Sequence, residues 1–274
     1  MSKRKSIKFP SLFDNPSVTL SVIIPAYNER LRLPKMLDEC IPYLKSRSER
    51  DKTFTWEIII VDDGSMDGTK ELAYEYIKRY SNPNIRVLVE AHNRGKGGAI
   101  RLGVLSSRGE RILMADADGA TTFSEVEKLD AQYEAGADVV VGSRNHLKEN
   151  AVAQRAWYRN LLMYGFNFLV KVLSGIHGIY DTQCGFKLFS RRVARCVFPS
   201  LHLERWAFDI EILYVASRLG FVIKEVPVKW VEIEGSKVSI IQASLTMFRD
   251  MVATRLAYLL SIWELPKRDS LKLD

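Results

Sequence analysis

Cysteine is scarce in this chain. Cys40, Cys184 and Cys196 are the only three in 274 residues. They form no Cys-x-x-Cys pair and are odd in number, which excludes a disulfide framework and suits a reducing compartment. No asparagine has a usable Asn-x-Ser/Thr context, Asn15 being followed by Pro16, so nothing points to passage through a glycosylating lumen. A secretory leader is also missing: Lys3, Arg4, Lys5 and Lys8 are not followed by an apolar stretch. Long hydrophobic runs are absent too. Residues 161–176 are interrupted by Lys171, and residues 240–265 contain Arg249, Asp250 and Arg255, so no segment reads as a membrane span of about 18 residues.

What is present is enough apolar material for a large core. With 47% hydrophobic and 27% charged residues, the chain fits one large α/β domain with an appendage. Forty basic residues against 33 acidic give a net charge of +7, which favours anionic partners: a nucleotide sugar, a lipid phosphate, a membrane surface or a nucleic acid. The reading divides the chain into a basic tail over 1–17, a catalytic domain over 18–235, and a C-terminal amphipathic helix and tail over 236–274. In the last part Leu245, Phe248, Val252, Leu256, Leu259 and Trp263 recur at helical spacing, with Asp250, Thr254 and Ser261 opposite. Such a stripe docks on a core, a partner or a bilayer.

The first half alternates two periods. Short β-branched runs over 18–24, 56–61, 85–89, 111–115 and 138–142 are separated by helical stretches over 31–47, 69–80, 96–106 and 124–135. That rhythm predicts a parallel sheet covered on both faces, with ligands bound beyond the carboxyl ends of its strands. Pro25-Ala26-Tyr27-Asn28-Glu29, Asp62-Asp63-Gly64-Ser65 and Asp116-Ala117-Asp118 each follow a strand, so three polar loops should meet along one edge. Asp116 and Asp118 could hold one hard divalent cation that also takes substrate phosphates; a solvated acidic turn is the other reading of that pair.

Asn93-Arg94-Gly95-Lys96-Gly97-Gly98-Ala99 fits neither common phosphate motif. A P-loop would need glycine at Glu90 and Ser or Thr at Gly97, and a dinucleotide fingerprint would follow the first strand and end in glycine where Ile100 stands. A glycine-rich helix entry flanked by Arg94 and Lys96 remains, able to face an anion or simply to turn tightly.

Taken in order, Ser21 to Glu29, Val61 to Thr69 and Asp116-Ala117-Asp118 resemble the signatures of the inverting glycosyltransferase family 2, whose GT-A fold is Rossmann-like. Asn93 to Arg101, Ser106 to Gly109, Ala115 to Thr121, Asp181 to Phe189 and Glu204 to Asp209 are similar to its branch that loads glucose onto a polyprenyl phosphate. The resemblance runs from about Phe9 to Trp263. It implies transfer of glucose from UDP-glucose to dolichyl phosphate with inversion, for N-glycan precursor assembly, at the cytosolic face of the endoplasmic reticulum membrane, with no nucleic acid partner.

By the same resemblance Pro25, Tyr27 and Glu29 would line the nucleotide-sugar pocket with Lys96 and Gly185. Asp63 would hold the uridine end, and Asp116 with Asp118 would hold Mg²⁺ or Mn²⁺ on the diphosphate. Related mannosyltransferases add a glutamine two residues past the second acid; Ala120 stands there. Arg144 resembles a contact to the acceptor phosphate, which Arg155 and Arg159, four apart on one helix face, could complete. Asp209, in the cluster of Glu204, Arg205, Trp206 and Glu211, is expected to face the reacting centre. Family members usually begin with a membrane anchor, and this chain begins close to where that anchor would end. Three other readings remain open: a sister enzyme using GDP-mannose or another UDP-sugar, a metal-dependent nucleotidyltransferase, and a non-catalytic nucleotide-binding module.

Overall fold

The structure, a computed structural model, describes residues 9–144, 178–231 and 240–266. In chain order it contains β1 (Val18–Ala26), α1 (Leu33–Arg50), β2 (Trp56–Asp62), α2 (Thr69–Tyr80), β3 (Ile85–Val89), α3 (Lys96–Leu105) and β4 (Gly109–Met114). A 3-10 turn, Phe123–Glu125, leads into α4 (Val126–Glu134) and β5 (Val139–Ser143). β6 (Lys187–Ser190), α5 (Arg191–Val197), α6 (Phe208–Arg218), β7 (Ile223–Pro227) and α7 (Ile240–Leu259) complete it.

Seven strands form one sheet in the order β3-β2-β1-β4-β6-β5-β7. The period-two alternation of the strands sends side chains to two separate cores. Leu20, Val22, Ile24, Ile58 and Ile60 pack under α1, while Ile23, Ile59, Val61, Ile112 and Met114 pack under α3, α5 and α6. Each such side chain, buried, stabilises the fold by roughly 1.5–3 kcal/mol. β1 pairs with β2 and with β4, both in parallel. The strand order therefore reverses at β1, and the loops after β1, β2 and β4 open into one crevice.

The sheet is not purely parallel. β6 runs antiparallel to β4 and to β5, whereas β5 and β7 are parallel. Lys187 lies inside this inserted strand, opposite Met114 and Val141, so β6 approaches the crevice from the direction opposite to its neighbours.

The ordered body begins before Val18. Leu12 is fully buried, its N–H donates to Leu105 O at 2.8 Å, and Arg195 and Arg191 donate to the carbonyls of Leu12 and Asp14 at 2.9 and 2.8 Å. Only residues 1–8 of the expected tail lie outside the described residues.

α7 docks on a face other than the expected stripe. Met251, Thr254, Ala257 and Tyr258 are buried, while Leu256 and Leu259 are exposed along with Leu260 and Ile262. Thr254 tolerates burial because its hydroxyl donates to Asp250 O at 2.7 Å. Helical spacing stops carrying information after Leu259: Ser261 has φ of +56° and the chain turns, so Trp263 folds back and stacks on His202 at 4.1 Å. The side chains of Leu245 and Phe248 lie outside the described residues. Among the described residues no helix is long and apolar enough to cross a membrane.

Candidate active site

The first two loops are sewn together. Asn28, in the left-handed region at φ +54°, accepts from Met66 N through its side chain and donates from its own N–H to Ser65 Oγ, both at 2.9 Å. Glu29 N donates to Thr69 Oγ1 at 2.8 Å. Pro25 is buried at the end of β1 and Tyr27 is exposed at the mouth. Asp63 is buried, and its two carboxylate oxygens accept from Arg94 N at 2.7 Å and Gly95 N at 2.9 Å. The glycine-rich segment thus enters α3 under the control of the loop after β2.

Asp116 and Asp118 sit half-buried at the end of β4. Lys96, at the start of α3, places Nζ 2.5 Å from Asp116 Oδ1. Asp118 folds back to accept from Ala120 N at 2.9 Å, helped by Gly119 at φ +63°. Gly185 closes the opposite wall: a Cβ there would fall 2.0 Å from Asp116 Oδ2, so only glycine lets that backbone lie against the carboxylate. Burial alone would raise the Asp116 carboxyl, but Lys96, Lys187 and Arg144 hold it below its usual range. Burial disfavours the Lys96 charge, yet Asp116, Asp209 and Asp118 keep that ammonium above its usual range. Glu29 lies within electrostatic reach of both acids; burial raises its carboxyl against the opposing pull of Arg32, and Asp118 and Asp116 add to the rise.

Beneath this surface lies a buried ion pair. Lys187 Nζ donates to Asp209 Oδ1 and to Cys184 O, each at 2.6 Å, with both charged side chains almost without solvent. Asp209, in the first turn of α6, therefore grips β6 from below. Arg144, at the end of β5, forks onto Asp181 with two bonds of 2.7 Å, and Glu225 accepts from the N–H groups of Tyr180 and Asp181. Burial works against the Arg144 charge, but Asp181 raises its pKa well above the ordinary guanidinium value.

Several expected residues stand apart from the centre. Glu211 is neither surface charge nor crevice: fully buried, it accepts from His202 N, Leu203 N and Tyr258 OH, which ties the loop before α6 to α7. Glu204 pairs with Arg94, and Trp206 is exposed. Arg155 and Arg159 lie outside the described residues. In the sequence Lys187 and Asp181 stand out only as parts of the stretch Asp181 to Phe189. A lone lysine inside Phe186-Lys187-Leu188-Phe189 was the available signal, since a buried ammonium requires a partner.

A family model described as glycosyl transferase family 2 matches residues 21–198. The chain belongs to glycosyl transferase family 2. Within it, the chain is 50% identical over 270 residues to a human protein named dolichyl-phosphate beta-glucosyltransferase, covering 96% of this chain and 83% of that one. A Saccharomyces cerevisiae protein of the same name is 44% identical over 265 residues, covering 91% and 78%. Among solved structures, glucosyl-3-phosphoglycerate synthase from Mycobacterium tuberculosis, in complex with Mn²⁺, UDP-glucose and phosphoglyceric acid, superposes with a TM-score of 0.60 at 20% identity, covering 92% of this chain and 81% of that one. A Pyrobaculum calidifontis mannosyltransferase with GDP-mannose and Mn²⁺ gives 0.58 at 17%, covering 95% and 70%. These two share the GT-A fold with the family 2 chain.

Proposed function

We propose that this family 2 enzyme transfers glucose from UDP-glucose to dolichyl phosphate with inversion, yielding dolichyl β-D-glucosyl phosphate for N-glycan precursor assembly at the cytosolic face of the endoplasmic reticulum membrane. The observation that carries the reading is the meeting of Asp116, Asp118, Lys96 and Gly185 at one crevice in a chain half identical to proteins named for that reaction.

The acidic floor fits a divalent metal. Asp116 and Asp118 offer hard oxygen donors, and Lys96 already supplies a positive charge where such an ion would sit. Among the described residues no group of three acidic, histidine or cysteine side chains surrounds the place, which suits a cation that keeps waters and substrate phosphates as further ligands. Bound Mg²⁺ or Mn²⁺ would neutralise the charge that builds on the departing diphosphate.

The remaining work belongs to the protein. Asp63 would accept from the base and Tyr27 would cover it, while Lys96 turns toward the phosphates. Asp209 fixes Lys187, keeping a positive charge under the diphosphate. Arg144, held by Asp181, keeps further N–H groups to aim at the acceptor phosphate, which arrives largely dianionic and needs no general base. In-line placement of that oxygen against the sugar's anomeric carbon gives inversion. The exposed Leu256, Leu259, Leu260 and Ile262 suit contact with the membrane that carries the acceptor.

Incubation with a panel of nucleotide sugars and dolichyl phosphate, followed by mass analysis of lipid and nucleotide, tests this. A hexosyl lipid with UDP is expected. A mannosyl lipid with GDP would move the chain to a sister activity, and pyrophosphate release would make it a nucleotidyltransferase.

A further inference from the structure

Trp230, just past the end of β7, touches two parts of the crevice that the reaction needs side by side. Its backbone pairs with Thr121 in an isolated antiparallel bridge. Two main-chain bonds flank that bridge: Thr122 N donates to Lys229 O at 3.2 Å, and Val231 N donates to Ala120 O at 2.9 Å. Thr121 and Trp230 are therefore a non-hydrogen-bonded pair, the arrangement in which facing side chains stand closest. The turn held in this way begins at Asp118, which accepts from Ala120 N. On its other side Trp230 meets Arg144. The guanidinium carbon lies over the indole, 5.6 Å from the ring centroid, within reach of a cation–π contact. Val228 N donates to Ser143 O at 3.0 Å, so the segment leaving β7 runs beside the Arg144 backbone. Arg144 commits its backbone N, Nε and Nη2 to Asp181, while 27% of its side chain stays exposed.

We propose that Trp230 is a positioning residue for the acceptor: its ring backs the Arg144 guanidinium, and its bridge to Thr121 fixes that cation relative to the turn carrying Asp116 and Asp118. The inference rests on Arg144 meeting the acceptor phosphate. A guanidinium gripped along one edge by Asp181 can still swing about that contact, and a ring against it limits the swing. Inversion needs the attacking oxygen in line with the departing diphosphate, and a misplacement of about 1 Å costs on the order of a hundredfold. Anchoring the acceptor cation and the donor turn to one residue preserves that alignment. The bridge uses main-chain atoms alone, so a changed side chain leaves the turn attached and removes only the support of Arg144.

Steady-state kinetics of wild type, Trp230→Phe and Trp230→Leu with UDP-glucose and dolichyl phosphate in detergent micelles tests this. Trp230→Leu should lower kcat/KM for dolichyl phosphate roughly three- to thirtyfold and leave KM for UDP-glucose unchanged. Trp230→Phe, which keeps a ring, should recover most of that loss. Equal losses in both variants, or a raised KM for UDP-glucose, would assign the side chain to support of the donor turn and overturn the proposal. Unchanged kinetics in Trp230→Leu also overturns it, and leaves the proposed reaction standing. If wild type makes no lipid product from dolichyl phosphate, the reading of Arg144 fails together with the proposal. Tryptophan emission supplies a readout independent of turnover and of the leucine variant. Dolichyl phosphate, but not dolichol, should change the emission of wild type, and Trp230→Phe should lose that change; an absent response, or one that persists in Trp230→Phe, overturns the proposal.

Discussion

The buried Lys187–Asp209 pair concentrates the most consequence in the fewest atoms. Removing one partner of a desolvated pair leaves an uncompensated charge, so Lys187→Met should destabilise the protein by about 3–5 kcal/mol, measured by chemical denaturation. Lys187→Met combined with Asp209→Leu should recover much of that stability while turnover stays lost, separating support of the fold from support of the diphosphate. Asp118→Ala should abolish turnover with circular dichroism unchanged; full activity of that variant, or of wild type in EDTA, would remove the metal from the account. Asp209 Oδ1 accepts from the buried Lys187 Nζ at 2.6 Å, which places Asp209 as a positioning residue beneath the crevice. Turnover should rise with pH through the acceptor phosphate's ionisation near about 6, and Asp209→Asn should lower the rate without removing that limb.

At the scale of elements, α7 is divided between two environments. Met251, Ala257 and Tyr258 hold it on the core, and Leu256, Leu259 and the following Leu260 and Ile262 stand in solvent. Leu256→Glu should therefore leave the fold unchanged and reduce co-flotation with anionic liposomes; loss of folding would instead assign Leu256 to the core. The sequence pattern revealed an apolar helix here but not which face would dock, because Thr254 hides its hydroxyl on Asp250 O and the turn at Ser261 reverses the chain before Trp263. β1 to β4 were legible from alternation and β-branching, and so were the loops that meet beyond them. β6 was not: four residues, one of them a lysine, carry too little periodicity, and its antiparallel pairing with β4 and β5 is a tertiary choice. Asp116 and Asp118 could be read from their place after a strand. Arg144's partner Asp181 could not, since a separation of 37 positions carries no local signal of contact.

For the whole molecule, the sheet's far end is fastened by charge as the crevice end is. Glu57, fully buried, accepts from Ser21 Oγ at 2.6 Å, Arg86 Nη2 at 2.7 Å and Arg108 N at 2.6 Å. Burial would raise its carboxyl, but these donors and the two guanidinium groups bring it below its ordinary value. A depressed carboxyl contributes stability that is present above its unfolded pKa and lost as pH falls through the lower, folded one. Global stability should drop on acidification below about pH 4.5, and Glu57→Gln should blunt that drop while weakening the protein at neutral pH by about 1–3 kcal/mol, as denaturation midpoints at the two pH values would report.

Gly185 lies so close to Asp116 that the missing side chain is itself part of the crevice's shape. Any other residue there would behave as a covalently tethered competitor, delivered at unlimited local concentration to the spot the diphosphate needs. Because the obstructed atom belongs to a carboxylate that can swing aside, Gly185→Ala should fold normally yet lose both UDP affinity and turnover. More substrate would refill the crevice of that variant without restoring its rate.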